Sequence, residues 1–325
     1  MSEATAFIPP HVLNTPVLFL VFNRLDTAKQ VFEAIRQAKP PRLYVAADGA
    51  RANKEGEAGK AQAVRDYIMS NIDWECDVKT LFREENLGCK YAVSGAITWF
   101  FENEEQGIIL EDDCLPSQSF FWFCEELLER YKDDMRIWHI GGASTLTNDI
   151  VINNDSYYFS NLNHIWGWAG WSNRWSKYDS SISQFPEFKD KKYIKDIFKE
   201  FLLQKFWINN LQNVYLKKID TWDFQWCFTV WINRGVSITP TINMISNIGF
   251  GADATHTANN DSKMSNMLKK EMPLSLIHPS VIMINTDYDS FNFNYLYNLS
   301  YLRYFRNHTM QLVRNIIKPK SSKND

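Results

Sequence analysis

The stretch Pro16-Val-Leu-Phe-Leu-Val-Phe22 is apolar without alternation. A strand with one wet face alternates, so an unbroken run of this length predicts a strand buried on both sides, as in a parallel sheet covered by helices. Leu43-Tyr-Val-Ala-Ala47, Val78–Phe82, Ile108–Leu110 and Ile137–Ile140 repeat the strand signal. Between them lie helical spacings: Val31, Phe32 and Ile35, then Val64, Tyr67, Ile68 and Ile72, then Lys90–Phe101, then about 118–131. Asp26 is a plausible N-cap for the first of these, Pro40-Pro41 must end it, and residues 50–60 are charged and small, as a loop would be. Strand and helix alternate through the first 140 residues. That order predicts right-handed crossovers and a mostly parallel α/β sheet.

In such sheets ligands bind beyond the carboxyl ends of the strands. Polar groups stand there at three successive strand ends: Asn23 and Arg24, Asp48, and Glu111-Asp112-Asp113. They form either one crevice or ordinary strand-end loops. Two or three hard oxygen ligands suit Mg²⁺ or Mn²⁺, and an ion held by few carboxylates completes its shell with phosphate and water. The alternative is three solvated acids. The turn after the first strand reads Asn-Arg-Leu-Asp-Thr-Ala, with no glycine-rich loop, which argues against a dinucleotide fingerprint and a P-loop.

The second half differs in composition. Eight of the 12 Trp fall between residues 166 and 231, and four of them in Trp166–Trp175. Trp166, Trp168 and Trp171 are candidate platforms for sugar rings, or packing residues of a subdomain. Residues 145–163 read as a polar loop, about 190–218 as helix, Val236–Ile242 and Pro273–Pro279 as strands. Asp223, between aromatics in Thr221-Trp-Asp-Phe-Gln-Trp226, is a candidate general base, a helix N-cap over about 224–234, or both. Asn247-Ile-Gly-Phe-Gly251 suggests a loop closing over something, and His256 beyond it is a metal ligand, a phosphate donor, or neither.

Composition excludes other classes. Net charge is −3, which gives no global nucleic-acid signature. The five Cys are scattered without C-x-x-C spacing, against a disulfide framework or structural zinc and compatible with a reducing cytosol. No apolar run approaches a membrane span of ~20 residues, and Met-Ser-Glu-Ala-Thr-Ala lacks the pattern of a signal peptide. Leu302, Phe305, Leu312, Val313 and Ile316 share a helical face ringed by Arg and Lys, so 301–318 either lies on an anionic membrane or packs on the body.

The ordered motifs resemble the GT-A-fold, nucleotide-sugar-dependent glycosyltransferases, in particular the N-acetylglucosaminyltransferase I-like group and its bacterial relatives. The matching features are the first strand ending in Arg24, the second ending in Asp48, Asn86-Leu-Gly88 leading to Lys90-Tyr91, the acidic triplet, and Phe120-Phe-Trp-Phe123. The resemblance is good over roughly 130 residues, partial to about 257 and absent after that. It implies Asp113 as metal ligand and Asp112 as a contact to the nucleotide sugar, with Glu111 the first acid of the same motif. It implies Asn23, Arg24 and Asp48 at the nucleotide, Asp48 near a uracil. Lys90 stands where the family has His. Trp222-Asp223 resembles the family's base-bearing segment, but Phe224 replaces its second Asp, so Asp223 alone can take the role.

The expectation is therefore an α/β, GT-A-type mostly parallel sheet flanked by helices, with an aromatic-rich acceptor-side subdomain and a C-terminal helical extension. Residues 1–144 form the donor half, 145–260 the acceptor and catalytic half, and 261–325 the extension. Mn²⁺ or Mg²⁺ is the expected cofactor. A nucleotide sugar is the donor, probed first as UDP-linked, and a glycan or lipid-linked acceptor in surface polysaccharide synthesis the second substrate. The expected place is the cytoplasm, at the inner membrane face if 301–318 binds lipid. A non-enzymatic carbohydrate-binding protein and a sugar-nucleotide nucleotidyltransferase are the competing classes.

Overall fold

The computed structural model describes residues 7–146, 154–250, 267–273 and 275–297. His256 and the segment 301–318 lie outside them. The elements in chain order are β1 (Val17–Val21), α1 (Leu25–Ala38), β2 (Arg42–Ala47), α2 (Glu57–Ser70), β3 (Asp77–Phe82), α3 (Gly88–Asn103), β4 (Gln106–Glu111), β5 (Cys114–Pro116), α4 (Ser119–Tyr131) and β6 (Ile137–Gly141). There follow β7 (Tyr157–Ser160), β8 (Trp168–Trp171), α5 (Ser172–Trp175), α6 (Phe185–Asp190), α7 (Ile194–Ile197), α8 (Phe201–Tyr215), α9 (Asp223–Ile232), β9 (Val236–Pro240), β10 (Ile245–Asn247) and α10 (Thr286–Tyr297).

Eight strands form one sheet in the order β3-β2-β1-β4-β8-β6-β9-β7. Neighbours β3, β2, β1 and β4 are parallel, β8 runs against both β4 and β6, β9 is parallel to β6, and β7 closes the edge antiparallel. Six strands therefore share one direction, and the sheet is α/β and mostly parallel, as the unalternating runs predict. All five residues of β1 are buried, as its sequence requires. One core face joins β1, β2 and β4 to α1, α2 and α4 through Phe19, Val31, Phe32, Ile68, Phe121 and Leu127. The other packs α3 and α9 through Leu18, Tyr44, Ile97, Phe100, Trp222 and Trp226. A third cluster holds α6 to α9 together around Phe188, Trp207, Phe228 and Trp231. A short antiparallel pair, β5 with β10, lies beside the acids.

Several boundaries differ from the sequence expectation. Helix α1 begins at Leu25 with Arg24 at its N-cap, so Asp26 lies in the first turn rather than at the cap. There it still favours the positive helix end. Residues 145–163 hold β7, a short strand inside a polar stretch. The predicted long helix over 190–218 is broken: Lys192 takes a left-handed φ of 60° and Phe198 is extended, leaving α7 and α8 separate. No strand forms in the described part of 273–279, although Ile277 exchanges backbone and hydroxyl hydrogen bonds with Ser156. Helix α10 is anchored by buried polar groups, Asp289 accepting from Asn161 N at 2.9 Å and from Ser160 Oγ. No helix among the described residues is long and apolar enough to cross a membrane.

Candidate active site

A cavity of about 550 Å³ opens over the carboxyl ends of β1, β2 and β4. Its lining brings together Asn23, Arg24, Asp48, Glu111, Asp112, Asp113, Trp166 and Asp223. These residues are spread over 200 positions of sequence. They meet because parallel strands end side by side and α9 begins above them.

The acids stand where β4 leaves the sheet. Glu111 is the last residue of β4, in register with Leu20 of β1. Asp112 accepts from Phe22 N at 3.3 Å. Arg24, at the start of α1, pairs with Asp112 and reaches Asp113 Oδ2 at 3.0 Å. Burial pushes the Asp112 carboxyl up, with the Arg24 charge opposing. Burial likewise pushes Glu111 up, and the neighbouring Asp113 and Asp112 charges add to it. One guanidinium thus stands against three crowded carboxylates, whose excess charge is relieved either by a proton or by a bound cation. The Asp113 carbonyl accepts from Ile248 N at 2.8 Å, which ties the loop after β10 to the acids. That loop approaches so closely that a Cβ on Gly249 would lie 2.2 Å from Asp113 Oδ2 and 2.6 Å from Arg24 Nη1.

The donor set fits a hard divalent ion. Among the described residues it offers carboxylate oxygens and no imidazole, and burial keeps the nearby thiols of Cys89 and Cys114 protonated. Among the described residues no group of three or more His, Cys, Asp or Glu forms a closed cage. An ion placed here would therefore need further ligands besides these carboxylates.

Asp48 has a second job. Its carboxylate accepts from Leu87 N at 3.0 Å, Gly88 N at 3.1 Å and Asn86 Nδ2 at 2.9 Å. It therefore caps α3 from another strand end and fixes the Asn86-Leu-Gly88 turn. Gly88 needs its φ of 76°, and a Cβ there would lie 2.9 Å from Asp220 Oδ2. Asn23 is likewise engaged, donating to Glu57 Oε1 at 2.9 Å, while Glu57 also binds Arg51. Lys90 is buried within α3, its ammonium 5.2 Å from the centre of the Tyr91 ring, and is not part of the cavity lining.

Asp223 is the first residue of α9, with Trp222 at the N-cap. Its Oδ1 accepts from Phe224 N at 2.9 Å and from the Thr221 hydroxyl. Asp223 therefore stands in the first turn of α9 rather than at the cap expected for it, and it lines the cavity.

The three tryptophans part company. Trp166 lines the cavity and meets Phe250 edge-on at 6.0 Å. Trp168 and Trp171 form β8, buried at 1% and 3% exposure. Trp168 stacks on His139 at 4.9 Å, and Trp171 donates its indole N–H to Leu128 O at 3.2 Å. They are core residues, which corrects their reading as an acceptor platform. Gly167 and Gly170 let this bulky strand lie between β4 and β6.

Sequence reasoning passed over Arg51, Arg83 and Asp220, and read Asn86 only as part of a turn motif, yet all four line the cavity. Arg83 follows β3 directly, the same place that drew notice to Asp48 after β2. Its Nη1 donates to Ala92 O at 3.3 Å, and its Nη2 would lie 3.1 Å from a Cβ on Gly95.

No protein-family model matches the chain, and no curated protein matches its sequence. Among solved structures, HddC from Yersinia pseudotuberculosis is similar over 50% of this chain and 80% of its own, at 12% identity and TM-score 0.31. A TarS fragment from S. aureus is similar over 52% of this chain and 50% of its own, at 10% identity and TM-score 0.34. A UDP-glucose pyrophosphorylase complexed with UDP-glucose is similar over 51% of this chain and 79% of its own, at 12% identity and TM-score 0.29. Scores this low leave activity to be read from the residues of this chain.

Proposed function

We propose that the chain is a metal-dependent inverting glycosyltransferase. In this reading it moves a sugar from a nucleotide diphosphate sugar, UDP-linked such as UDP-GlcNAc, to a glycan or lipid-linked acceptor in surface polysaccharide synthesis. The observation that carries the reading is the convergence of Glu111, Asp112 and Asp113 with Asp223 on one cavity. Residues 1–144 supply its donor side and 145–260 its acceptor side.

Asp113 would hold Mn²⁺ or Mg²⁺, with Asp112 paired to Arg24 behind it. The bound ion supplies charge stabilisation for the leaving diphosphate. Asp223 receives the proton of the acceptor hydroxyl as that oxygen attacks the anomeric carbon. Attack from the face opposite the leaving group inverts the configuration. Trp166, which lines the same cavity as Asp223, offers an aromatic face to the acceptor sugar. Asp48, by fixing the turn at 86–88, shapes the wall on which the base rests.

The test is direct. The protein is incubated with Mn²⁺ and a panel of nucleotide sugars, and the released product is identified. Nucleoside diphosphate supports the transferase. Pyrophosphate released when a sugar 1-phosphate and a nucleoside triphosphate are supplied would replace it with a nucleotidyltransferase. Neither product, with sugar bound in the absence of nucleotide, would leave a binding protein.

A further inference from the structure

A second cavity, about 670 Å³, opens at the other end of the sheet, at the amino-terminal end of β9. Helix α9 joins the two sites: Asp223 at its first residue faces the upper cavity, and Ile232 at its last lines the lower one. Ten helical residues separate them by about 15 Å.

The lower cavity has a distinct chemistry. Tyr193, 43% exposed, meets the buried Phe188 ring edge-on at 6.1 Å and 65°, with Lys191 Nζ 5.9 Å from the Tyr193 ring centre, so Tyr193 alone presents an aromatic ring at the opening. Around it stand Gln184, Asp196 and Arg234. The volume is that of a site for a small organic ligand. Two carboxylates, Glu187 and Asp196, face a single guanidinium, Arg234, in the lining, and Glu187 is paired with Lys191 at 2.6 Å. That balance disfavours phosphates and other polyanions, which need a cationic excess. The amide, carboxylate and guanidinium groups disfavour a purely apolar guest, whose burial would strip them of water. An aromatic face beside planar donors and acceptors matches a ligand with an apolar ring face and a rim of hydroxyls.

We infer that this cavity binds a neutral oligosaccharide, at a site separate from the one above the acids. Tyr193 stacks on a sugar ring, while Gln184, Asp196 and Arg234 hydrogen-bond its hydroxyls. The inference stands on these residues alone, whatever the upper cavity binds.

The test uses the full chain with isoleucine methyl groups labelled for NMR. Ile197, Ile232 and Ile284 line the lower cavity, and Ile165 and Ile219 line the upper. Cellobiose, lactose and diacetylchitobiose are titrated without nucleotide or metal. The expected result is a saturable shift of the first three methyls by at least one of the sugars, the other two staying in place. Tyr193→Ala, at a largely exposed position, should weaken that binding about tenfold without altering nucleotide binding at the upper cavity. Gln184→Leu should weaken it as well. Absence of a saturable shift with all three sugars overturns the inference, as does unchanged binding in Tyr193→Ala, or shifts confined to Ile165 and Ile219. Loss of nucleotide binding in the unaltered protein would overturn the glycosyltransferase reading and leave this one intact.

Discussion

Arg24 Nη2 lies 3.0 Å from Asp113 Oδ2 while the same group pairs with Asp112, so one guanidinium holds two consecutive carboxylates together. Both acids are buried. Removing the cation while leaving the anions should cost about 3–5 kcal/mol. Arg24→Met is therefore expected to lower the melting temperature markedly, and Mn²⁺ should restore more of it in the variant than it adds to the unaltered protein. Calorimetry with and without Mn²⁺ decides. An equal Mn²⁺ effect in both would remove the ion from this site.

Asp223→Asn should retain nucleotide-sugar binding and lose turnover by about 10²–10⁴, the usual worth of a general base. Steady-state kinetics with a saturating donor make the comparison. Turnover like that of the unaltered protein would exclude Asp223 as the base and turn attention to Asp220, the other carboxylate at this wall of the cavity.

Gly249→Ala places a methyl group where Asp113 Oδ2 and Arg24 Nη1 now stand. The loop after β10 has to move away. Metal-dependent donor binding should fall at least tenfold, while the far-UV circular dichroism stays unchanged. An alanine variant with unaltered donor affinity would show that the loop does not shape the site.

Arg83→Met keeps the aliphatic packing under α3 and removes the charge. A hydrogen bond to a charged group is worth ~1.5–3 kcal/mol, so nucleoside diphosphate affinity should fall about tenfold or more. Titration calorimetry measures it. Equal affinity would leave Arg83 a packing residue of α3.

His139 and His164 hold a part of the stability that acid removes. His139 lies buried, its Nε2 at 3.0 Å from His164 O and its Nδ1 at 3.2 Å from Trp226 Nε1, so it donates with the first and accepts with the second. Burial holds it neutral, with its pKa lowered to about 3, and burial lowers His164 to about 4. Both values lie below the ordinary 6.5. As pH falls through 6.5 the unfolded chain takes up two protons that the folded chain refuses. The stability is complete above that pH and is lost below it, at up to roughly 2.7 kcal/mol per pH unit for the pair. The buried carboxyls of Glu111, Asp112 and Asp289, whose pKa values are raised, contribute with the opposite sign in this window, so the test is the difference between proteins. In urea unfolding between pH 7 and 4.5, His139→Asn should lose less stability on acidification than the unaltered protein, by up to roughly 1.4 kcal/mol per pH unit. An unchanged slope would mean that His139 titrates alike in both states.

The half of the fold that obeys simple periodicity was legible. The strands β1, β2 and β4 hold unalternating apolar runs, while β3 is a more polar edge strand. A residue whose polarity stands out follows each run, which is why Arg24, Asp48 and Asp113 could be picked from sequence. The same rule applied to β3 would have added Arg83. The other half was harder for a physical reason. In Trp168-Ala-Gly-Trp171, large and small residues share a strand, and burial by neighbours rather than a pattern of its own makes it a strand. Aromatic side chains look alike on paper whether they meet a ligand or a neighbour. Only the position of β8 between β4 and β6 turns Trp168 and Trp171 inward while Trp166, at the rim, stays with the cavity.

That position has a consequence for how the protein is made. Strand β4 leaves the ribosome about sixty residues before its partner β8, and β6 leaves before β8 as well. Until Trp171 has emerged, both strands carry an open edge with unpaired backbone groups. Open edges recruit foreign strands, and pairing between distant segments forms slowly. A nascent chain halted near Ser160 should therefore be a strong client for chaperones. One halted past Trp175 should be much less so, because four residues of tryptophan, alanine and glycine will have sealed two edges at once.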